Sequence, residues 1–343
     1  MTIHDIGIKI GSIEYDFLRD NPNLGKNVIL LGLGGSHAYG TNNESSDLDI
    51  KGCALNLKSD ILGGSSFEQF IDEDTDTVIF SFNKFLNLLY RCNPSAMELL
   101  GLEDWQYIHI DSIGQELLNN KKMFISKKCV DTFGQYANQQ LYRLNQLSTH
   151  QMDNDKLEHH ILTTLNRMKS NFNEDFKLLR EDDFINLYID KSESDNLNTE
   201  IFMDIKLSHY PLRDYCGMWN IMQNTVKQYN QLGSRNRKAL EHNKISKHMM
   251  HLVRLYHMCF DILEYGDIFT FRRDDHNELM EIRNGKYVDS NNQIDSEFFN
   301  MVDELENKLK ILKDKSIIPE KSNLEDIINF KMSVNERVVK GNI

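Results

Sequence analysis

The chain has 343 residues, 40% hydrophobic and 27% charged, the balance of a globular protein with room for one large domain or two ordinary ones. Its formal net charge of −13 argues against extensive coating of nucleic acid through phosphate contacts, because proteins that bind in that way are usually basic. No apolar run approaches the roughly 20 residues that cross a bilayer, and the opening Met1-Thr-Ile-His-Asp-Ile lacks the basic-then-apolar pattern of a secretory signal. The expectation is a cytoplasmic protein with no membrane partner.

The elements follow in chain order. Asn27-Val-Ile-Leu-Leu-Gly-Leu-Gly-Gly35 is an apolar run closed by glycines, which predicts a buried strand entering a tight turn. Ser36 to Gly40 then opens a short helix. Asp47 to Leu55 is read as a second strand, Thr75 to Phe82 as a third and Asn83–Cys92 as a helix. After the turn signal Asn93-Pro94, Ser95 to Leu102 is read as a fourth strand. From about Ile113 helical periodicity takes over, in Cys129–Leu147, Leu157–Arg180, Tyr215–Leu232, Ser246–Tyr265 and Phe298–Leu312. Glu181–Glu200 is acidic and polar and is read as a surface loop. The fold class expected is α+β: a small mixed-sheet core in residues 1–112, then a larger, mostly helical domain in residues 113–343. Cys53, Cys92, Cys129, Cys216 and Cys259 are scattered with no Cys-x-x-Cys pair, so reduced thiols are expected rather than a zinc site. Trp105 and Trp219 are expected in the core or between domains.

The chemistry is concentrated in Gly35-Ser36-His37-Ala38-Tyr39-Gly40 and Asp47-Leu48-Asp49. On a strand, residues two apart share a face, so Asp47 and Asp49 converge while Leu48 turns into the core. Paired hard oxygen ligands suit Mg²⁺ or Mn²⁺, which bind one or two carboxylates together with substrate phosphates. Gly35 lets the backbone approach phosphate oxygens, the start of the helix favours an anion, and the Ser36 hydroxyl donates to the same oxygens. Each half alone is common; the ordered combination of apolar strand, Gly-Ser, short loop, Asp-x-Asp and strand is far more specific. His37 is within reach of the same phosphates, or is an exposed turn residue. Tyr39 stacks on a base, or packs.

This arrangement resembles the DNA-polymerase-β nucleotidyltransferase superfamily, and more narrowly the RNA repair pathway DNA polymerase beta family. Phe133-Gly-Gln-Tyr-Ala-Asn-Gln-Gln-Leu-Tyr-Arg-Leu144, Lys247-His-Met-Met-His-Leu-Val-Arg-Leu255, Ile262-Leu-Glu-Tyr-Gly266 and Glu281-Ile-Arg-Asn-Gly285 resemble its later segments; residues 150–215 are the least familiar. The resemblance implies transfer of a nucleoside monophosphate from an NTP to a hydroxyl, with Asp47 and Asp49 as metal ligands. It also implies a third carboxylate on a neighbouring strand, for which Glu98 is the candidate and Asp76 the competitor. The acceptor it implies is an RNA 3′ end such as that of a tRNA. The alternatives are nucleotidylation of a protein or small molecule, and a nucleotide-binding protein without turnover.

On a helix from Ser246, Lys247, His251 and Arg254 share a face, while Met249, Leu252, Val253, Tyr256 and Phe260 form the packing side. With Arg235, Arg237, Lys238 and Lys244 upstream, this is the most basic region of the chain: a solvated face, or a clamp that neutralises phosphate charge. His159-His160 lacks the carboxylate or cysteine spacing of a metal site and is read as part of a surface helix.

Overall fold

The computed structural model describes residues 3–43, 46–148, 184–191, 199–220, 223, 245–289 and 294–342. Five strands, β1 (Val28–Leu33), β2 (Ile50–Ala54), β3 (Gln69–Asp72), β4 (Thr77–Ser81) and β5 (Tyr107–Ile110), form one mixed sheet in the order β3-β4-β2-β1-β5. β1 lies antiparallel to both β2 and β5, and β2 runs parallel to β4. The fold is α+β, with this sheet in the N-terminal part and helices predominating towards the C-terminus.

The period-2 geometry of strands gives the sheet two unlike faces. On one face, Leu31, Leu33, Ile50 and Ile79 join Leu48, Ile6, Ile10, Tyr15 and Leu18 in a buried apolar cluster; each such side chain contributes about 1.5–3 kcal/mol relative to exposure. On the other face, β1 presents glycine. A Cβ at Gly32 would fall 2.5 Å from Leu102 Cδ1 and 3.3 Å from Leu99 Cδ1. One at Gly34 would fall 3.1 Å from Asp49 Cβ and 3.3 Å from Lys51 Cγ. Glycine is required there because neighbouring side chains fill the space.

The predicted strand at 75–82 and the helix after it are present, as β4 and helix Phe82–Tyr90. Other expectations need correction. The strand expected from Asp47 begins only at Ile50, although the Gly34 N–H donates to Asp49 O at 2.8 Å and extends the β1–β2 ladder by one step. Ser95–Leu102 is not a strand: Pro94–Leu100 is a helix, and β5 follows it. Asn93-Pro94 is a helix start rather than a turn. The Asn93 side chain accepts the Ala96 N–H at 3.3 Å, and proline sits where a missing N–H costs nothing. Glu181–Glu200 is not a loop throughout, since β6 (Phe184–Lys191) pairs antiparallel with β7 (Thr199–Lys206). Scattered acidic residues hid two alternating runs.

The predicted helices at 129–147, 246–265 and 298–312 appear as Lys128–Ser148, Ile245–Tyr265 and Ser296–Lys315. Met249, Leu252, Val253, Tyr256 and Phe260 are all buried, as the periodicity predicts. Residues 212–220 are helical; the rest of the helix expected to Leu232 falls almost entirely outside the described residues, as do Leu157–Arg180, His159-His160, Arg235, Arg237, Lys238 and Lys244. Cys53, Cys92, Cys129 and Cys259 are buried free thiols, and Cys216 is exposed. Trp105 and Trp219 are 44% and 46% exposed rather than core residues. Among the described residues no helix is long and apolar enough to cross a membrane.

The chain divides into two compact units. The first comprises Met1–Ala137, Met250–Tyr287 and Ser296–Ile343; the second comprises Asn138–Met249 and Val288–Asp295. The five-stranded sheet lies in the first and the β6–β7 hairpin in the second.

Candidate active site

β1 ends at Leu33, and the chain turns through Gly34 and Gly35 into the one-turn helix Gly35–Tyr39. Gly35 has φ +52°, in the left-handed region, and a Cβ there would fall 1.6 Å from Asp49 Oδ2. The turn therefore lies directly against the Asp49 carboxylate, and only glycine fits. Two parts of the sequence singled out independently, Gly-Ser and Asp-x-Asp, meet at this point. Gly40, with φ +73°, ends the helix in the left-handed conformation.

Asp47 is exposed, Leu48 is buried and Asp49 is half-buried, the alternation expected of an extended segment. The Ile50 N–H donates to Asp76 O at 3.2 Å, which sets Asp76, the residue before β4, beside this end of β2. Asp76 is itself exposed and has φ +47°. Among the described residues, no three His, Cys, Asp or Glu side chains converge as a ready-made metal cage.

The expected role of Glu98 needs revision. It lies on helix Pro94–Leu100, not on a strand, with its side chain 6% exposed. One oxygen, Oε2, accepts from Lys51 Nζ at 2.8 Å; the other, Oε1, accepts from Arg254 Nη1 at 2.8 Å. Tyr39 also hydrogen-bonds to it. Burial would raise the carboxyl above its ordinary value, but Lys51 and Arg254 outweigh burial and hold it at about 2. A carboxylate so strongly ionised is a poor general base near neutral pH. Ligating a metal would mean giving up buried cation contacts.

The remaining candidates are mostly packed. Ser36 and His37 are 8% and 7% exposed. Burial lowers the His37 imidazole below its ordinary value, so it is held neutral, and its Nε2 has no hydrogen-bond partner among the described residues. Tyr39 is 4% exposed, with Arg254 Cζ 3.6 Å from its ring centroid and His251 edge-on at 6.3 Å. It packs, and burial lifts its phenol well above the ordinary value. Arg254 is buried against Glu98, Tyr39 and Met258 Sδ, rather than on a solvated face. Lys247 is exposed near the start of its helix and belongs to the second unit.

A set of residues that sequence reasoning missed holds the helix Gly35–Tyr39 in place. Gln106 Nε2 donates to the His37 and Ala38 carbonyls at 3.0 and 2.9 Å. The Arg272 N–H donates to Tyr39 O at 3.0 Å, His276 Nε2 lies 3.0 Å from Gly40 O, and Arg283 Nη1 donates to Thr41 O. Arg272 is itself fixed by Asp275 and Asp261 at 2.7 Å each. No local motif marks these residues; the resemblance of Glu281–Gly285 to a later family segment was the one available signal.

Neither a curated protein nor a solved structure matches the chain. Residues 13–169, somewhat less than half of it, match a family model. They span the whole sheet, the glycine turn and both aspartates. The model that residues 13–169 match is that of the RNA repair pathway DNA polymerase beta family, a family of DNA-polymerase-β-like nucleotidyltransferases.

Proposed function

We propose that the protein transfers a nucleoside monophosphate from an NTP to a hydroxyl, with an RNA 3′ end as acceptor. The acceptor oxygen bonds to the α-phosphorus, the α–β bridging P–O bond breaks, pyrophosphate leaves and the hydroxyl proton passes to water. The observation that carries this reading is the seating of the Gly34-Gly35 turn on the Asp49 carboxylate. That contact supports a reading in which the turn faces the phosphates and Asp49 the metal. The RNA acceptor rests on the family description.

The donor set fits Mg²⁺ or Mn²⁺: exposed Asp47 and half-buried Asp49 offer hard oxygen atoms beside the glycine turn. These two would hold the ion, with Asp76 favoured over Glu98 as third carboxylate, because Asp76 is exposed at the end of β2 and Glu98 is committed to two cations. The ion would neutralise developing charge on the phosphates. The phosphate tail would lie along the backbone of the Gly34-Gly35 turn, with Ser36 beside it. At five residues the helix is little more than one turn, so its dipole contributes little. His37, Tyr39, His251 and Arg254 support the turn rather than contact nucleotide. The division of labour follows: residues 1–112 carry the chemistry, and residues from 113–343 hold it in place.

The test is label transfer from each α-³²P NTP with Mg²⁺ or Mn²⁺, into mixed RNA and into cell-extract protein, beside the Asp47→Ala/Asp49→Ala double variant. Label in RNA supports the reading, and label in protein moves the acceptor to a protein side chain. NTP binding with no label above the double variant would reduce the chain to a nucleotide-binding protein.

A further inference from the structure

Lys51 follows Asp49 by two residues and so shares its face of β2. Gly34 runs over the roots of both side chains, at 3.1 Å from Asp49 Cβ and 3.3 Å from Lys51 Cγ as measured from its own would-be Cβ. The lysine stem therefore starts against the glycine turn. Its ammonium is 2.8 Å from Glu98 Oε2, and its side chain is 18% exposed, three times the 6% of its partners Glu98 and Arg254.

One carboxylate, Glu98, faces two cations, Lys51 and Arg254, and the third neighbour, Tyr39, is a phenol held protonated by burial. Arg254 is sealed: it lies 3.6 Å from the Tyr39 ring centroid, and its Nη1 is shared by Glu98 and Met258. Of the two cations, Lys51 is therefore the one that can face outward. An ammonium carries three donors, and its bond to Glu98 uses one. The adjoining glycine turn, with Asp49 beside it, is where the proposed function seats the phosphates.

We propose that Lys51 contacts the β- and γ-phosphates of the nucleoside triphosphate and that Glu98 is the positioning residue that aims it. This inference rests on the nucleotidyl-transfer reading of the same site. Glu98 would also couple the two halves of that site, since its partners sit on β2 (Lys51) and at the last residue of the Gly35–Tyr39 helix (Tyr39). A charge-assisted contact of this kind is worth roughly a tenfold change in affinity.

The experiment is calorimetric titration of the full chain with inorganic tripolyphosphate, an NTP and the matching NMP in constant Mg²⁺. It compares wild type with Lys51→Met, Lys51→Arg and Glu98→Gln, each also melted thermally. Lys51→Met is expected to weaken tripolyphosphate and NTP about tenfold while NMP affinity stays unchanged. Lys51→Arg should stay within about threefold of wild type, and Glu98→Gln should weaken the same two ligands while still melting in one transition. Should Lys51→Met bind tripolyphosphate like wild type, with any change confined to melting temperature, the cluster is only a structural tie and the inference fails, leaving nucleotidyl transfer intact. Should Glu98→Gln alone bind normally, the positioning role fails. A wild-type chain that binds neither tripolyphosphate nor NTP sinks the nucleotidyl-transfer reading and this inference together.

Discussion

The Asp47–Asp49 segment and the Glu98 cluster lie on the same side of one sheet and hold their carboxylates in opposite surroundings. Asp47 is exposed and Asp49 half-buried against a bare glycine turn. Glu98 is sealed, with both oxygens bonded to cations. An acidic residue near a reaction centre is thus not a ligand by position alone. What decides is whether water and substrate can reach it without breaking a buried ion pair, and that cost runs to several kcal/mol.

This contrast breaks if the two kinds of carboxylate respond alike to substitution. Asp49→Asn is expected to cut label transfer by about 100-fold or more, a size typical of losing one group that stabilises transition-state charge, while the denaturant midpoint stays near wild type. Glu98→Ala is expected to do the reverse first. It leaves Lys51 and Arg254 buried without their anion and should lower unfolding free energy by about 3–5 kcal/mol in urea titration. If Glu98→Ala proved as stable as wild type and merely inactive, the proposed division of roles would be wrong.

Acid sharpens the same contrast. Glu98 is held at about 2, below the ordinary 4.5, so the folded state favours its ionised form. Its contribution is complete above pH 4.5 and is lost as pH falls towards 2, where both states are protonated. The slope of stability against pH in that window should therefore flatten in Glu98→Gln. The smallest effect belongs to the exposed carboxylate: Asp47→Asn should change stability by no more than about 0.5 kcal/mol, whatever it does to label transfer, as read from thermal melts.

Much of this was legible in the sequence because it is local. The glycine run, Gly-Ser and Asp-x-Asp lie within residues 28–49, and their spacing alone places them around one turn. The Asn93-Pro94 pair was misread because the same two residues start a turn or cap a helix; only the side-chain bond to the Ala96 N–H separates them. Glu98 followed that error onto a strand it does not occupy. Arg254, 156 positions away, neutralises it, and no local pattern reports a partner at that distance. The supports of the Gly35–Tyr39 helix were hidden for the same reason: Arg272 through its backbone N–H, and His276 and Arg283 through their side chains, reach backbone carbonyls, which leave no mark on residue type.

Those backbone bonds from 272–283 to 39–41 have a consequence for synthesis. The residues that would perform transfer leave the ribosome early, but the arginines that hold their turn arrive more than two hundred residues later. A nascent or truncated chain that ends after the family-matched stretch at residue 169 carries both aspartates and lacks Arg254, Arg272 and Arg283. Under the proposed function, the turn would gain these supports only after residue 283 has been made.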